Sequence, residues 1–534
     1  MAHVSLENLV ELGSAEEFEA MELPSPREHE GRLSIAASAL QECSRIAFTK
    51  IAYAMPPLQY AAFESILSDP TSSARERFVA ASLLENAMIA AKGVFPICQD
   101  TGTALVYAWR GDRTDIEGDS DLERLLATGA REAYAIEKLR NSQLGPLTMT
   151  EERNTKDNLP AGIQIRAVPG QKMKLLFVAK GGGSTSRASL TMESPAILRP
   201  EKLEEVLRER IRALGPSGCP PYSIAVVLGG ASPSQTLYAA ELAALGALDG
   251  LPGLGSGDGA PLRDRQWEEI ILKIARESGI GAQWGGAHMA ASARAIRLSR
   301  HAANLSLAIS ISCAANRHVA VVVDREGWKI QKLGQAEDRF ESICGEILRD
   351  AEREATAIAI SPTDDSWLKT LRALSAGSIA ALSGPVLIAR DAAHARLLRM
   401  LETEGKLPDW FLGLPVFYAG PTETKTGFRT GAFGPTTASR MDSYLDPFMG
   451  AGASLVTIAK GSRSSVARQA IVRHGGVFCA AIGGAAALNA ERYVRSMRTI
   501  AFEDLGMEAI RLADLEAFPV VVAIDALGND IYRA

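Results

Sequence analysis

None of the six cysteines of this chain forms a C-x-x-C pair. That absence excludes a zinc ribbon, a thioredoxin-type redox site and a ferredoxin-type run. Six thiols in 534 residues are also too few for a disulfide scaffold. No apolar stretch reaches the roughly 18 residues that would cross a bilayer. The start, Met-Ala-His-Val-Ser-Leu-Glu-Asn, has no basic n-region and does not read as an Arg/Ser-rich transit peptide, so the cytosol is the expected compartment. Basic runs and aromatic-interleaved cationic patches are missing too, and a net charge of −6 argues against nucleic acid as a partner. An anionic ligand would have to draw its positive charge from a few local arginines and lysines.

What is present is ordinary globular material, long enough for roughly two to four domains. Residues 1–31 are acidic and Pro-punctuated and read as a loosely held arm. From Leu33 to about residue 92 the pattern is largely helical; the run Ala74–Lys92 keeps one apolar face and stops at Gly93. Polar residues 112–120 predict a solvated loop, and the Gly/Pro-rich stretch 250–262 another. Further helices are expected at about 122–138, 201–214 and 267–278. Short β-branched runs at 318–324, 385–389, 453–459, 476–482 and 518–525 alternate with helical segments, which predicts an α/β domain. The boundary falls between Asp324 and Asp365, giving domains of 1–325 and 326–534.

Cys98, Cys219 and Cys313 stand in turn-like settings far apart in sequence: Pro-Ile-Cys98-Gln99-Asp100-Thr-Gly, Ser-Gly-Cys219-Pro-Pro and Ile-Ser-Cys313-Ala-Ala-Asn-Arg. If the fold brings these loops together, three thiolates are one short of the set a [4Fe–4S] cube normally takes. An iron without a protein ligand can bind substrate as a Lewis acid, which suits a hydro-lyase. Cys43, Cys344 and Cys479 lie in apolar contexts and read as buried structural thiols.

Three glycine clusters, at 181–183, 229–230 and 279–286, offer backbone N–H groups to an anion or a cluster, or are simply tight turns. His301 beside Arg300 reads either as an exposed or structural histidine or as a carboxylate or acid group. Arg390 follows a predicted strand, where an α/β sheet presents ligand contacts; the plain alternative is a surface ion pair with Asp391 or its neighbours. Thr436 and Thr437 read as helix caps or as active hydroxyls, and Arg440 and Lys460 are candidates for one carboxylate of a dianion.

Taken together these segments resemble the class I, iron–sulfur-dependent fumarate hydratases in their single-chain form. The matching pieces include Cys98-Gln99-Asp100-Thr101-Gly102, Leu139-Arg140, Lys180-Gly181-Gly182-Gly183-Ser184, Ser217-Gly218-Cys219-Pro220-Pro221, Gly281-Ala-Gln283, Arg300-His301, Ser312-Cys313, Arg390-Asp391, Gly434-Pro435-Thr436-Thr437, Arg440-Met-Asp442, Lys460-Gly461 and Asp504–Ala509. The resemblance runs from about residue 35 to the end. It implies a mainly helical N-terminal domain in which Cys98, Cys219 and Cys313 carry a [4Fe–4S] cluster, an α/β C-terminal domain of swivelling type closing over it, and a homodimer. It also implies that Gln99, Arg140, backbone groups of Gly182 and Gly183, Arg390, Arg440 and Lys460 bind a dicarboxylate. Asp100, His301, Thr436 and Thr437 would then surround the reacting carbons. Thr436, hydrogen-bonded to Asp100, would handle the carbon-bound proton, and His301 would orient a carboxylate or act as an acid.

The chain departs from the family pattern at Thr185-Ser186-Arg187, Ala231-Ser232, Ala302–Leu305 and Ala315-Asn316-Arg317-His318. The resemblance puts fumarate and malate first as substrates, and these departures keep mesaconate/citramalate and tartrate behind them as options. The rivals are a non-catalytic iron–sulfur sensor, which would need only the three thiols, and a phosphate-binding enzyme, for which no complete motif exists.

Overall fold

A computed structural model describes residues 5–533 and shows a mixed α/β protein with three large sheets. The first sheet has six strands in the order Phe18–Ala20, Gly327–Gln331, His318–Asp324, Met173–Lys180, Thr103–Gly111, Gly162–Val168. The second has five: Ser189–Glu193, Leu305–Ser312, Tyr222–Gly230, Ala290–Arg300, Leu262–Arg263. The N-terminal half is thus not mainly helical, contrary to expectation. Runs such as Tyr222–Gly230, whose nine residues are all buried, show no alternation of apolar and polar residues, and periodicity alone does not separate a short buried strand from a buried helix segment.

The third sheet has seven strands: Thr356–Ala359, Ile379–Ile388, Val416–Phe417, Val456–Ala459, Val477–Ala480, Ile510–Ile524 and Val494–Ala501. Its first five run parallel, and the long strand Ile510–Ile524 pairs antiparallel with both Val477–Ala480 and Ile379–Ile388, closing the sheet on itself. Loops at the carboxyl ends of its parallel strands carry Arg390 and Lys460, as an α/β sheet predicts.

Local signals explain the helices. Ser73 and Glu76 form a capping box that starts Ala74–Ala90; Pro200 opens Pro200–Leu214, and Asp264 caps Arg265–Glu277. The helices Pro57–Ser68 and Ala74–Ala90 contribute Phe63, Phe78 and Leu84 to the same core as the seven-stranded sheet, so the early helices cover the later domain.

Two loop expectations are overturned. The arm is held: Leu6, Val10 and Leu12 are buried and Phe18–Ala20 pairs with Lys329–Gln331, because its few apolar residues find a pocket despite their acidic neighbours. Residues 1–4 lie outside the described residues. Within 112–120, Thr114–Glu117 is a strand beside Leu33–Ala36; the polar residues stand on its open face, while Thr114 is buried. Among the described residues no helix is long and apolar enough to cross a membrane.

Candidate active site

Cys98, Cys219 and Cys313 come from three loops to one place. The backbone of Ala314 donates to the carbonyl of Cys219 at 2.8 Å, joining two of the loops. The third is held by Asn86, which is fully buried: its Nδ2 donates to the carbonyls of Ile97 and Gly484, each at 3.0 Å, and its Oδ1 accepts from Ala487 and Leu488 at 2.8 and 3.0 Å. Lys460 Nζ donates to Cys219 Sγ at 2.7 Å. Burial pushes the Cys219 thiol up to about 12 against the pull of Lys460, with Cys313 and Cys98 adding their charge. Burial works the other way on Lys460, but the three thiols outweigh it and raise the ammonium to about 12. Cys43, Cys344 and Cys479 are buried elsewhere.

Beside the thiols stands a cradle of cations around one carboxylate. Asp100 pairs with Arg140 at 2.9 Å and accepts the backbone N–H of Gly182 at 2.9 Å. Burial would lift the Asp100 carboxyl, yet Arg140, Arg317 and Lys460 hold it at about 2, so it is ionised at any physiological pH. Arg140 is buried and reaches across to the carbonyl of Gly420 at 3.3 Å. Gln99 Oε1 accepts from the N–H groups of Gly420 and Gly434, both at 3.1 Å, tying the Cys98 loop to the loops of the seven-stranded sheet. The glycine triplet lies close by: a Cβ on Gly181 would stand 3.2 Å from Asp100 Oδ2, and one on Gly183 would stand 3.2 Å from Lys460 Nζ.

From the C-terminal half, Arg390 is buried and pairs with Glu508 at 2.8 Å, while its Nε has no partner among the described residues. Burial, then the like charge of Arg140, pulls its guanidinium down to about 10. The surface pair considered for Arg390 belongs instead to Arg440, which is exposed and binds Asp391 through two nitrogens. Thr436 and Thr437 are buried beside Lys460, whose N–H donates to the Thr436 carbonyl at 3.0 Å. Thr437 precedes the turn Ala438–Met441 without spending its hydroxyl on a cap.

Two expectations do not hold. The Thr436 hydroxyl donates to the carbonyl of Tyr418 at 3.1 Å and not to Asp100, whose oxygens are taken by Arg140 and the Gly182 N–H. His301 is exposed in the turn between Ala290–Arg300 and Leu305–Ser312, where its Nδ1 accepts from Ala303. Eight strand residues separate it from Cys313, about 25 Å at the usual rise. Within one chain it does not join the other residues.

Sequence reasoning missed Arg317, Asn86 and Glu508. Arg317 is buried, donates to the Asp100 carbonyl at 2.7 Å and opposes the burial that lifts the Cys98 thiol. Its nearness to Cys313 in sequence was the available signal, but it drew notice only as part of a departure from the family pattern. Asn86 inside a helix and Glu508 in a distant loop carry no local sign of their partners.

Comparisons with known proteins bear on this arrangement. A family model described as fumarate hydratase (fumerase) matches residues 41–322, and one described as fumarase C-terminus matches residues 331–534. Fumarate hydratase 2 of Leishmania major is 38% identical over 500 residues, 94% of this chain and 87% of that protein. The aerobic class I fumarate hydratase of Escherichia coli K12 is 38% identical over 520 residues, 97% of this chain and 92% of that protein. A putative L(+)-tartrate dehydratase subunit beta of Methanocaldococcus jannaschii is 32% identical over 169 residues, 31% of this chain and 87% of that protein.

Proposed function

The chain belongs to the class I fumarate hydratase family, and from that premise we propose that it reversibly adds water to fumarate to give malate. The observation that carries the reading is the cradle itself. Buried Arg140 and Arg317 and half-buried Lys460 crowd around an ionised Asp100 beside three thiols, and buried Arg390 stands near Arg140. A sensor would need only the thiols.

Cys98, Cys219 and Cys313 fit a [4Fe–4S] cluster. Among the described residues no three Cys, His, Asp or Glu side chains sit close enough to share a single metal ion. The Cys219 thiol nevertheless feels the charge of both Cys313 and Cys98, and one thiolate from each loop would hold one iron of such a cluster. When bound, such a cluster supplies a Lewis-acidic iron, lacking a protein ligand, for the hydroxyl that adds or departs.

The chain's own groups do the rest. Arg390, whose Nε has no partner among the described residues, offers a planar fork to one carboxylate, and Arg440 joins it only by releasing Asp391. Arg140, Lys460 and the Gly183 N–H face the other, and the Gly182 N–H joins them only by leaving Asp100. Negative charge spreads into that carboxylate as the carbon-bound proton leaves, and preorganised cations stabilise it there. Gln99 keeps the two sets of loops in register. Asp100, kept ionised by Arg140, Arg317 and Lys460, orients Arg140 and is the carboxylate of the cradle that can take up the departing proton. Thr436, whose proton is engaged by Tyr418, presents its oxygen as an acceptor, and Thr437 keeps a free hydroxyl beside it. We take residues 1–325 as the cluster domain and 326–534 as the swivelling domain that closes the cradle. The enzyme acts as a homodimer, the arrangement in which His301 reaches a dicarboxylate, from a second copy.

The test is anaerobic turnover of reconstituted enzyme, following loss of the conjugated double bond with fumarate and mesaconate in parallel. Fast loss with fumarate is expected. Loss with mesaconate alone would move the substrate to citramalate chemistry, and no loss with either, with cluster absorbance intact, would overturn the reading.

A further inference from the structure

Cys219 and Lys460 are backed by a peptide that another part of the chain grips. Gln283 is buried and holds a left-handed backbone, φ +74°, in the loop after Arg265–Glu277. Its carboxamide forms a two-way pair with the backbone of Gly483. The Gly483 N–H donates to Oε1 at 2.7 Å, and Nε2 donates to the Gly483 carbonyl at 2.9 Å. Gly483 lies hard against the site: a Cβ there would stand 2.3 Å from Cys219 Sγ and 2.8 Å from Lys460 Cδ.

The loop behind Gln283 is anchored on every side. The Tyr532 hydroxyl donates to the Gln283 carbonyl at 2.9 Å. Trp284 stacks on Phe78 at 5.5 Å. Glu76, itself buried, accepts the N–H groups of Ala287 and His288 at 2.6 and 2.8 Å. Those contacts fix the loop, and the Gln283 carboxamide transmits that rigidity to the two peptide groups that flank Gly483.

We propose that Gln283 is a positioning residue that fixes Gly483 as a wall behind Cys219 and Lys460. It thereby sets their 2.7 Å sulfur–ammonium contact. The inference rests on the reading of Cys219 as a cluster ligand and Lys460 as a substrate cation. A single hydrogen bond would hold only one of the two peptide groups that flank Gly483; a carboxamide that both donates and accepts holds both and so fixes the Cα between them. If the wall advances it strikes Sγ, and if it retreats Cys219 can turn away from Lys460. Carboxylate in place of amide loses the donor to the Gly483 carbonyl while keeping the volume. Groups that orient metal ligands from behind are worth about 10–100-fold in affinity or activity.

The experiment compares full-length Gln283→Glu and Gln283→Ala with the wild type. In the metal-free folded chain, alkylation by iodoacetamide is read separately at Cys98, Cys219 and Cys313 by peptide mass spectrometry. Cys219, walled in by Gly483, should gain roughly tenfold over Cys98 in both variants, and kcat/KM of the reconstituted enzymes should fall about 10–100-fold. An unchanged Cys219-to-Cys98 ratio in a variant with wild-type circular dichroism would overturn the proposal. So would loss of the fold in both variants, which would make Gln283 a structural residue. The alkylation ratio needs no turnover, so a wild type inert toward fumarate would sink the proposed function and leave this result to stand or fall alone.

Discussion

Arg390→Met strikes the cation cradle where its energetics are plainest. The guanidinium is buried, its Nε is unpaired among the described residues, and Arg140 repels it, with Glu508 at 2.8 Å and then Asp391 in opposition. Such a group is unfavourable in the empty site and becomes favourable when a carboxylate arrives. A charge-assisted hydrogen bond contributes about 1.5–3 kcal/mol, so losing a two-bond fork removes roughly 3–6 kcal/mol. At about 1.4 kcal/mol per tenfold, kcat/KM should drop by roughly 10²–10⁴. Most of the loss should appear in KM if the carboxylate is held equally in ground and transition states. Stability should respond differently. Methionine removes a repelled cation but strands Glu508, so Arg390→Met with Glu508→Gln should melt at or above the single variant. The assay is anaerobic initial rate against fumarate concentration, with cluster content matched by absorbance. A kcat/KM within about threefold of the wild type would refute the role of Arg390, since a carboxylate ligand cannot be removed so quietly.

Other predictions bear on the scaffold. Gly129 lies where Leu122–Ile136 crosses Ala37–Tyr53, and a Cβ there would stand 2.1 Å from the Gln41 carbonyl oxygen. Gly129→Ala gains about 1 kcal/mol of helix propensity, but overlap with a backbone atom cannot rotate away and costs about 1–3 kcal/mol. The urea midpoint should therefore fall, and a rise would show that the helices part freely. His288 bridges Glu76 at 2.9 Å and Asp69 at 3.1 Å, and its hydrogen bond to Glu76 raises it above the usual histidine value. A raised group stabilises the fold fully below its unfolded value, about 6.5, and loses that effect as pH rises through its folded value. Glu76 and Asp69, both held at about 2, keep their own contribution until pH falls below about 4. The gap in melting temperature between wild type and His288→Gln should be widest near pH 5–6 and narrow above it; a gap independent of pH would remove the histidine's charge from the account.

Much of the site was legible because loops must use particular residue types to do this chemistry. Cys98, Cys219 and Cys313 lie in loops, Arg390 and Lys460 follow strands, and Gly181 and Gly183 stand against Asp100 and Lys460. Helices with one apolar face, such as Pro200–Leu214, were read to within a residue or two. Strands buried on both faces were not, since Tyr222–Gly230 offers no polar side to mark its period. Pairings across the chain were equally silent. Nothing near Thr436 says that its hydroxyl prefers the Tyr418 carbonyl to Asp100, and nothing near His301 says that a whole strand carries it away from Cys313.

The cover that the helices Pro57–Ser68 and Ala74–Ala90 give the closed sheet sets a waiting time on biosynthesis. The carboxamide oxygen of Asn86 accepts from Ala487, 401 residues later. At about 5–20 residues per second, the ribosome takes roughly 20–80 s to bring that partner out. For all of that interval the apolar face bearing Phe78 and Leu84 waits without its sheet, and so does the loop that presents Cys98. The first thiol is made early, but its seat is finished only when the chain is nearly complete. On the proposed function, cluster delivery to the nascent protein would thereby be confined to the last moments of synthesis or to the time after release.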